Sequence, residues 1–246
     1  MLHAVGARDY LKTKKPRLSD DHKAARLEWC RKHADWGVAD FELVWFSDET
    51  NVYRCRPKGR EHVWDFPARG FTPRRMKRTV KFGGGSAPIW AVISNQGFVV
   101  WDFYEGRLTA DEYIHLLKER LEPAIEKYWP EGGEGLLTFM HDNAPAHTAA
   151  ITFDYLDELE SVFNLNILPW TSNSPDLNPI ENVWFHLKEY LSSFPIPNNI
   201  GNLKALLLIE IPKFNVSHRK LFTKLYASMP GRVKKVIAAG GDAIRY

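Results

Sequence analysis

At 246 residues, 44% of them hydrophobic and nine of them Trp, the chain has the material for one substantial core, or for one domain with appendages. Its formal charge of +3 permits a nucleic-acid partner without requiring one. Cys30 and Cys55 lack the spacing of a zinc site or a disulfide framework, the most apolar stretch (ALLLIEI) is too short to span a bilayer, and the N-terminus has no signal-peptide core, so an intracellular protein is expected.

Residues 1–18 are basic and irregular. The run SDDHKAARLEWCRKHADW then predicts a helix with Ser19 as N-cap, two acids in its first turn, and Leu27 and Cys30 on one face. FELVWFSDET (41–50) predicts a short strand ending at Ser47-Asp48-Glu49. Residues 51–88, rich in Arg, Gly and Pro, predict an irregular insertion, and IWAVIS (89–94), NQG and FVVWDFY (98–104) a β-hairpin. Thr109 and Glu112 form a capping box at the head of a long amphipathic helix. The run GLLTFM (135–140) predicts a buried strand, taken as far as Asp142, which delivers that residue to a surface. A helix from about His147 to Glu160, a strand LNILPW (165–170), and a helix with Asn178 as N-cap and Pro179 at its first position follow. Residues 199–246 read as further helices packed on the sheet. The order is that of an α/β protein with a ribonuclease H-like mixed sheet flanked by helices, an insertion after the first strand and a helical C-terminal extension.

The chemistry is carried by Asp48, Asp142 and Glu181, the first two at strand ends and the third in the first turn of a helix, so that all three can converge at one sheet edge. Each has a structural reading alone: the aspartates as turn formers or caps, Glu181 as a capping-box partner at the third helical position. Together they cannot all stay ionised without a cation. Three hard oxygen ligands suit Mg²⁺ or Mn²⁺, and two such ions suit in-line phosphoryl transfer on a nucleic acid. Asp48, from a central strand, is expected to contribute to both ions, Asp142 and Glu181 to one each. Asn143 and His147 are expected to order the turn after Asp142 or to approach the scissile phosphate. The basic clusters KTKKPR and RRMKRTVK offer Lys12, Lys14, Lys15, Arg17, Arg74, Arg75, Lys77 and Arg78 as phosphate contacts.

Four motifs in order, WFSDET, HDNAPAHTA, NSPDLNPIENVWFHLK and SMPGRVKKVIAAGG, resemble those of the mariner superfamily of cut-and-paste DNA transposases over nearly the whole chain. The resemblance implies a ribonuclease H-like catalytic domain, an acidic triad of Asp48, Asp142 and Glu181, cleavage of double-stranded DNA at terminal inverted repeats, insertion at TA, a homodimer in the DNA complex, and a nuclear location in a eukaryotic host. Asp176, in SPD, belongs to the same motif and is assigned to ordering the loop. The resemblance has two departures. Thirty-eight residues lie between Asp142 and Glu181, a few more than is usual in the family, and residues 1–18, which resemble the family's linker, leave no room for a helix-turn-helix module. Two rival readings are a domesticated or truncated relative that binds DNA without breaking it, which the intact triad opposes, and a ribonuclease acting on RNA–DNA hybrids, which the SPDLNPIENVW motif opposes.

Overall fold

The computed structural model describes residues 18–54, 84–129 and 135–245. Five strands form one sheet in the order β3-β2-β1-β4-β5: β1 (Val44–Tyr53), β2 (Ser86–Ser94), β3 (Gly97–Phe103), β4 (Thr138–Met140) and β5 (Asn166–Ile167). The first three are antiparallel neighbours, whereas β4 runs parallel to β1 and β5 parallel to β4, which makes the sheet mixed. At the β2–β3 turn Gly97 has a φ of +134°, and a side chain there would collide with Asn215, whose amide bonds both the N–H and the C=O of Phe98.

Helices cover both faces because alternate strand residues are apolar on both. Val44 and Phe46 of β1 and Ile89, Ala91 and Ile93 of β2 pack beneath α1 (Asp20–Lys32), α2 (Val38–Glu42), α6 (Pro179–Leu191), α7 (Ile200–Ser217) and α8 (Arg219–Ala238). Trp45, Trp90, Val92 and Phe139 point the other way, onto α3 (Ala110–Leu116), a π turn at Leu117–Leu121, α4 (Glu122–Tyr128) and α5 (Ala150–Phe163). The π turn lies just before Pro123, which has no N–H to continue the helical ladder. Ser19 caps α1, and Thr109 with Glu112 boxes α3, as expected.

Several boundaries depart from expectation, beginning with the first strand, which starts at Val44 rather than Phe41 because Val38–Glu42 form α2. The first strand does not end at Asp48; β1 continues to Tyr53, and β2 begins at Ser86, so both ends of the expected insertion are strand paired in register down to Tyr53↔Ser86. The middle of that insertion lies outside the described residues. β4 is only three residues long, because Ser47 Oγ takes the Met140 carbonyl (2.8 Å) and the two chains part there. β5 stops at Ile167, since Pro169 cannot donate to a ladder. α5 starts at Ala150 rather than His147, because residues 145–149 form a turn and a bend instead, with the Ala144 carbonyl accepting from His147 N and Thr148 N.

Candidate active site

Parallel pairing of β1 with β4 ends at Phe46↔Met140, and two residues further along each chain stand Asp48 and Asp142. Two parallel neighbours that lose their pairing at the same point leave a notch, and each contributes one carboxylate to it. Phe46 and Asp48 share a face of β1, so Asp48 points toward α6. α6 is fastened along that strand by Asn178 Nδ2 to the Ser47 carbonyl (3.3 Å), Trp184 Nε1 to Asp48 Oδ2 (3.1 Å) and Lys188 Nζ to Thr50 Oγ1 (2.5 Å). Its N-cap is Asn178, whose side chain accepts from Ile180 N, with Pro179 at the first position as the sequence predicts. Glu181, one turn before Trp184, is thereby carried to the same cleft. Asp48, Asp142 and Glu181 line one cavity of about 410 Å³, walled otherwise by Asn143, Trp170, Ser172 and Asn178 among others.

Electrostatics show the strain of this gathering. The Asp48 carboxyl is held well above its ordinary range, first by burial and then by the charges of Glu181, Glu49 and Asp142. Glu181 is also raised, by burial and by Asp142, although Lys188 opposes the shift. Asp142 goes the other way: burial pushes it up, but a hydrogen bond and charge from His147 and the Ala144 N–H pull it below the usual value. Its Oδ1 accepts from Ala144 N and from His147 Nδ1, both at 2.8 Å; among the described residues no donor reaches Oδ2, and none bonds the Glu181 carboxylate. Hard oxygens without a protein partner, crowded until two of the three acids resist ionising, are a donor set that fits a divalent cation.

The other expected residues divide. Asn143 sits on the cleft rim, and its Nδ2 ties the Trp170 carbonyl and Ser172 Oγ, both at 3.0 Å. His147 is 1% exposed and is not among the residues lining the cleft; its Nδ1 meets Asp142 in the turn after β4. Asp176 is buried and faces away from the cleft. The Arg26 guanidinium grips both its oxygens at 2.7 Å, and Ile244 N adds a third bond. Lys12, Lys14, Lys15, Arg17, Arg74, Arg75, Lys77 and Arg78 all lie outside the described residues. Sequence reasoning missed Trp184, Arg26 and Glu49. Arg26 left a signal: it occupies the buried stripe of α1 with Trp29, Cys30 and His33 at helical spacing, where a charge demands a partner.

Comparison with known proteins gives the same picture. Residues 43–204 match the family model described as DDE superfamily endonuclease. The chain is 29% identical over 246 residues to the Transposable element Tcb1 transposase of Caenorhabditis briggsae, spanning 100% of this chain and 85% of that protein. Its fold is similar to the catalytic domain of Mos1 mariner transposase, with a TM-score of 0.71 at 18% identity over 95% of this chain and 100% of that one. It is also similar to the Mos1 mariner paired end complex with Mn, with a TM-score of 0.80 at 20% identity over 99% of this chain and 70% of that one. The shared architecture is the ribonuclease H-like sheet. Among the described residues no helix is long and apolar enough to cross a membrane.

Proposed function

The chain belongs to the DDE superfamily of endonucleases, and from that premise we propose that it is the catalytic domain of a mariner-type DNA transposase whose acidic triad is Asp48, Asp142 and Glu181. The observation that carries the proposal is the convergence of these three carboxylates, from β1, the end of β4 and the first turn of α6, on one cleft. The reaction class is in-line phosphoryl transfer on double-stranded DNA. A water oxygen bonds to phosphorus as the bond to the leaving DNA oxygen breaks, and a freed 3′-hydroxyl then attacks a target phosphate in the same manner.

Asp48, Asp142 and Glu181 are the residues that hold Mg²⁺ or Mn²⁺; the cation supplies Lewis-acid activation of the nucleophile and neutralises charge on the phosphate and the leaving oxygen. We infer two ions, with Asp48 shared, because it stands on the central strand and feels both other acids. The chain's own contribution is to keep the ligands fixed: Trp184 holds one Asp48 oxygen, and the turn after β4 holds one Asp142 oxygen, in residues that both line the cleft. The reading extends to transposon ends and a TA target as substrates, to two copies of the chain in the DNA complex, and to work in the nucleus of a eukaryotic host. The transposase relatives and the paired-end complex among the similar structures support the DNA substrate and the two copies, and the motif order supports the rest as a resemblance.

A nicking assay on a plasmid bearing an inverted-repeat end tests the proposal. Cleavage is expected with Mg²⁺ or Mn²⁺, none after chelation, and none in Asp48→Asn, Asp142→Asn or Glu181→Gln. Near-normal cleavage by Glu181→Gln together with its loss in Asp176→Asn would replace the third ligand and overturn the assignment.

A further inference from the structure

Glu49 follows Asp48 in β1, and strand alternation turns it to the opposite face, toward the core that contains Trp45 and Tyr113. There Glu49 Oε1 stands 3.4 Å from His147 Nε2, while the other ring nitrogen, Nδ1, stands 2.8 Å from Asp142 Oδ1 and 3.2 Å from the Asp142 carbonyl. The imidazole is enclosed: Tyr113 covers it at 4.0 Å between ring centroids, and His141 lies at 5.2 Å. The Glu49 side chain is 19% exposed. We propose that Glu49 and His147 are positioning residues that hold Asp142 in the orientation in which it binds its cation.

The geometry supports this in three steps. First, an aspartate carboxylate rotates over a broad range about its terminal torsion, and Asp142 sits past the end of β4 in a stretch with no ladder to fix it. Two donors on Oδ1, Ala144 N and His147 Nδ1, restrain that rotation in a residue that lines the cleft. Second, His147 Nε2 stands 3.4 Å from Glu49 Oε1, an ion-pair distance at which neither buried atom completes a hydrogen bond, so charge attraction ties the turn back to β1. The strand that presents Asp48 on one face therefore sets the place of Asp142 from its other face, and the separation of the two acids is governed by one rigid element. Third, a carboxylate paired with an imidazole is the kind of outer support that fixes a metal ligand, and losing such support typically weakens metal binding about 10–100-fold.

Ligand atoms of Glu49, Asp142 and His147 also lie within 4.8 Å of one another, as an ion site requires. The two carboxylates, however, address different nitrogens of the ring, Asp142 at Nδ1 and Glu49 at Nε2, an arrangement in which the imidazole stands between the acids. The set is a bridge between two acids.

The inference rests on Asp142 being a cation ligand, and the test separates the two claims. Calorimetric titration with MnCl₂ in the absence of DNA, alongside thermal unfolding, is applied to the 246-residue chain and to four variants. His147→Asn, whose amide nitrogen replaces Nδ1 but gives up the tie to Glu49, and Glu49→Leu, which removes that tie alone, are each expected to weaken Mn²⁺ affinity about tenfold, and His147→Gln, which gives up the Nδ1 bond to Asp142 as well, by up to about 100-fold, with the number of bound ions unchanged. Glu49→Leu retains the imidazole and carries the test should His147→Gln not fold. Unchanged affinity in His147→Gln and Glu49→Leu, with only the melting temperature lowered, would show a purely structural bridge. A lost ion in His147→Gln would make His147 a ligand and overturn the proposal. Asp142→Asn binding Mn²⁺ as tightly as the parent overturns the assignment of Asp142 itself, and the arm with it.

Discussion

Arg26 and Asp176 meet as a two-pronged pair with both prongs at 2.7 Å and side chains 0% and 3% exposed, 150 residues apart in the chain. The same guanidinium reaches the Gly241 carbonyl (2.9 Å), and the Asp176 carbonyl accepts from Arg232 (3.0 Å), so one pair fastens α1, the loop before α6 and the C-terminal residues together. Removing one partner of such a pair leaves a buried charge uncompensated, which typically costs about 3–5 kcal/mol. Asp176→Asn is therefore expected to lower the unfolding free energy by that order, seen as a lower denaturation midpoint at an unchanged slope, and to retain metal-dependent cleavage at temperatures where the variant is folded. The contrast with Glu181, five residues on, is the discriminating point. Both acids belong to one motif, but Asp176 has all its oxygens occupied by protein donors and Glu181 has none among the described residues. Sequence could place an arginine on the buried stripe of α1, yet nothing local to it names the aspartate it meets, because the pairing is made by the fold.

α6 shows how an element turns sequence into a site. Its start was legible: Asn178 and Pro179 are a cap and a first-turn residue by their own chemistry. Its placement was not, since Asn178, Trp184 and Lys188 bind β1 atoms that no spacing rule reveals. The strands show the converse. Their existence follows from apolar runs, but their ends depend on the neighbour, so β4 ends where Ser47 takes its last carbonyl, and β1 outruns Asp48 because β2 pairs with it to Tyr53. Packing α6 on β1 forces Asp48 against Glu181, and this has a measurable sign. A carboxyl whose folded value is raised above its unfolded one binds more protons in the folded state between the two values, so its contribution makes the metal-free protein less stable as pH rises through that window. Asp48→Asn removes the penalty. The variant is expected to melt above the parent at pH 7 in chelator, with the difference shrinking as pH falls toward 4 and the parent's Asp48 takes up its proton. Asp142, lowered by His147, titrates below that window and does not obscure it. An equal difference at both pH values would show that Asp48 is not the strained acid.

On the scale of the whole molecule, the charge is +3, yet the cleft gathers three carboxylates, so the balancing positive charge lies elsewhere. A polyanion brought to an acidic cleft needs that charge nearby to offset the repulsion. The sequence concentrates it in KTKKPR (12–17) and RRMKRTVK (74–81), ahead of the sheet and between β1 and β2. Contacts of this type are to phosphates, which hold register without reading bases, and each phosphate neutralised releases condensed counterions. Affinity for duplex DNA is therefore expected to fall steeply and linearly on a log–log plot against salt, with a slope of about −0.9 per phosphate contact. Replacing Lys12, Lys14, Lys15 and Arg17 by Gln should make the slope shallower by up to about 3.6 and weaken all duplexes alike, since no base-specific contact is removed. Fluorescence anisotropy at several salt concentrations, with a transposon-end duplex and a scrambled duplex, measures both quantities. A slope that the four replacements leave unchanged would place the DNA-binding charge outside the first cluster. A loss confined to the transposon-end duplex would mean that these residues read sequence, and the phosphate-contact account would fail.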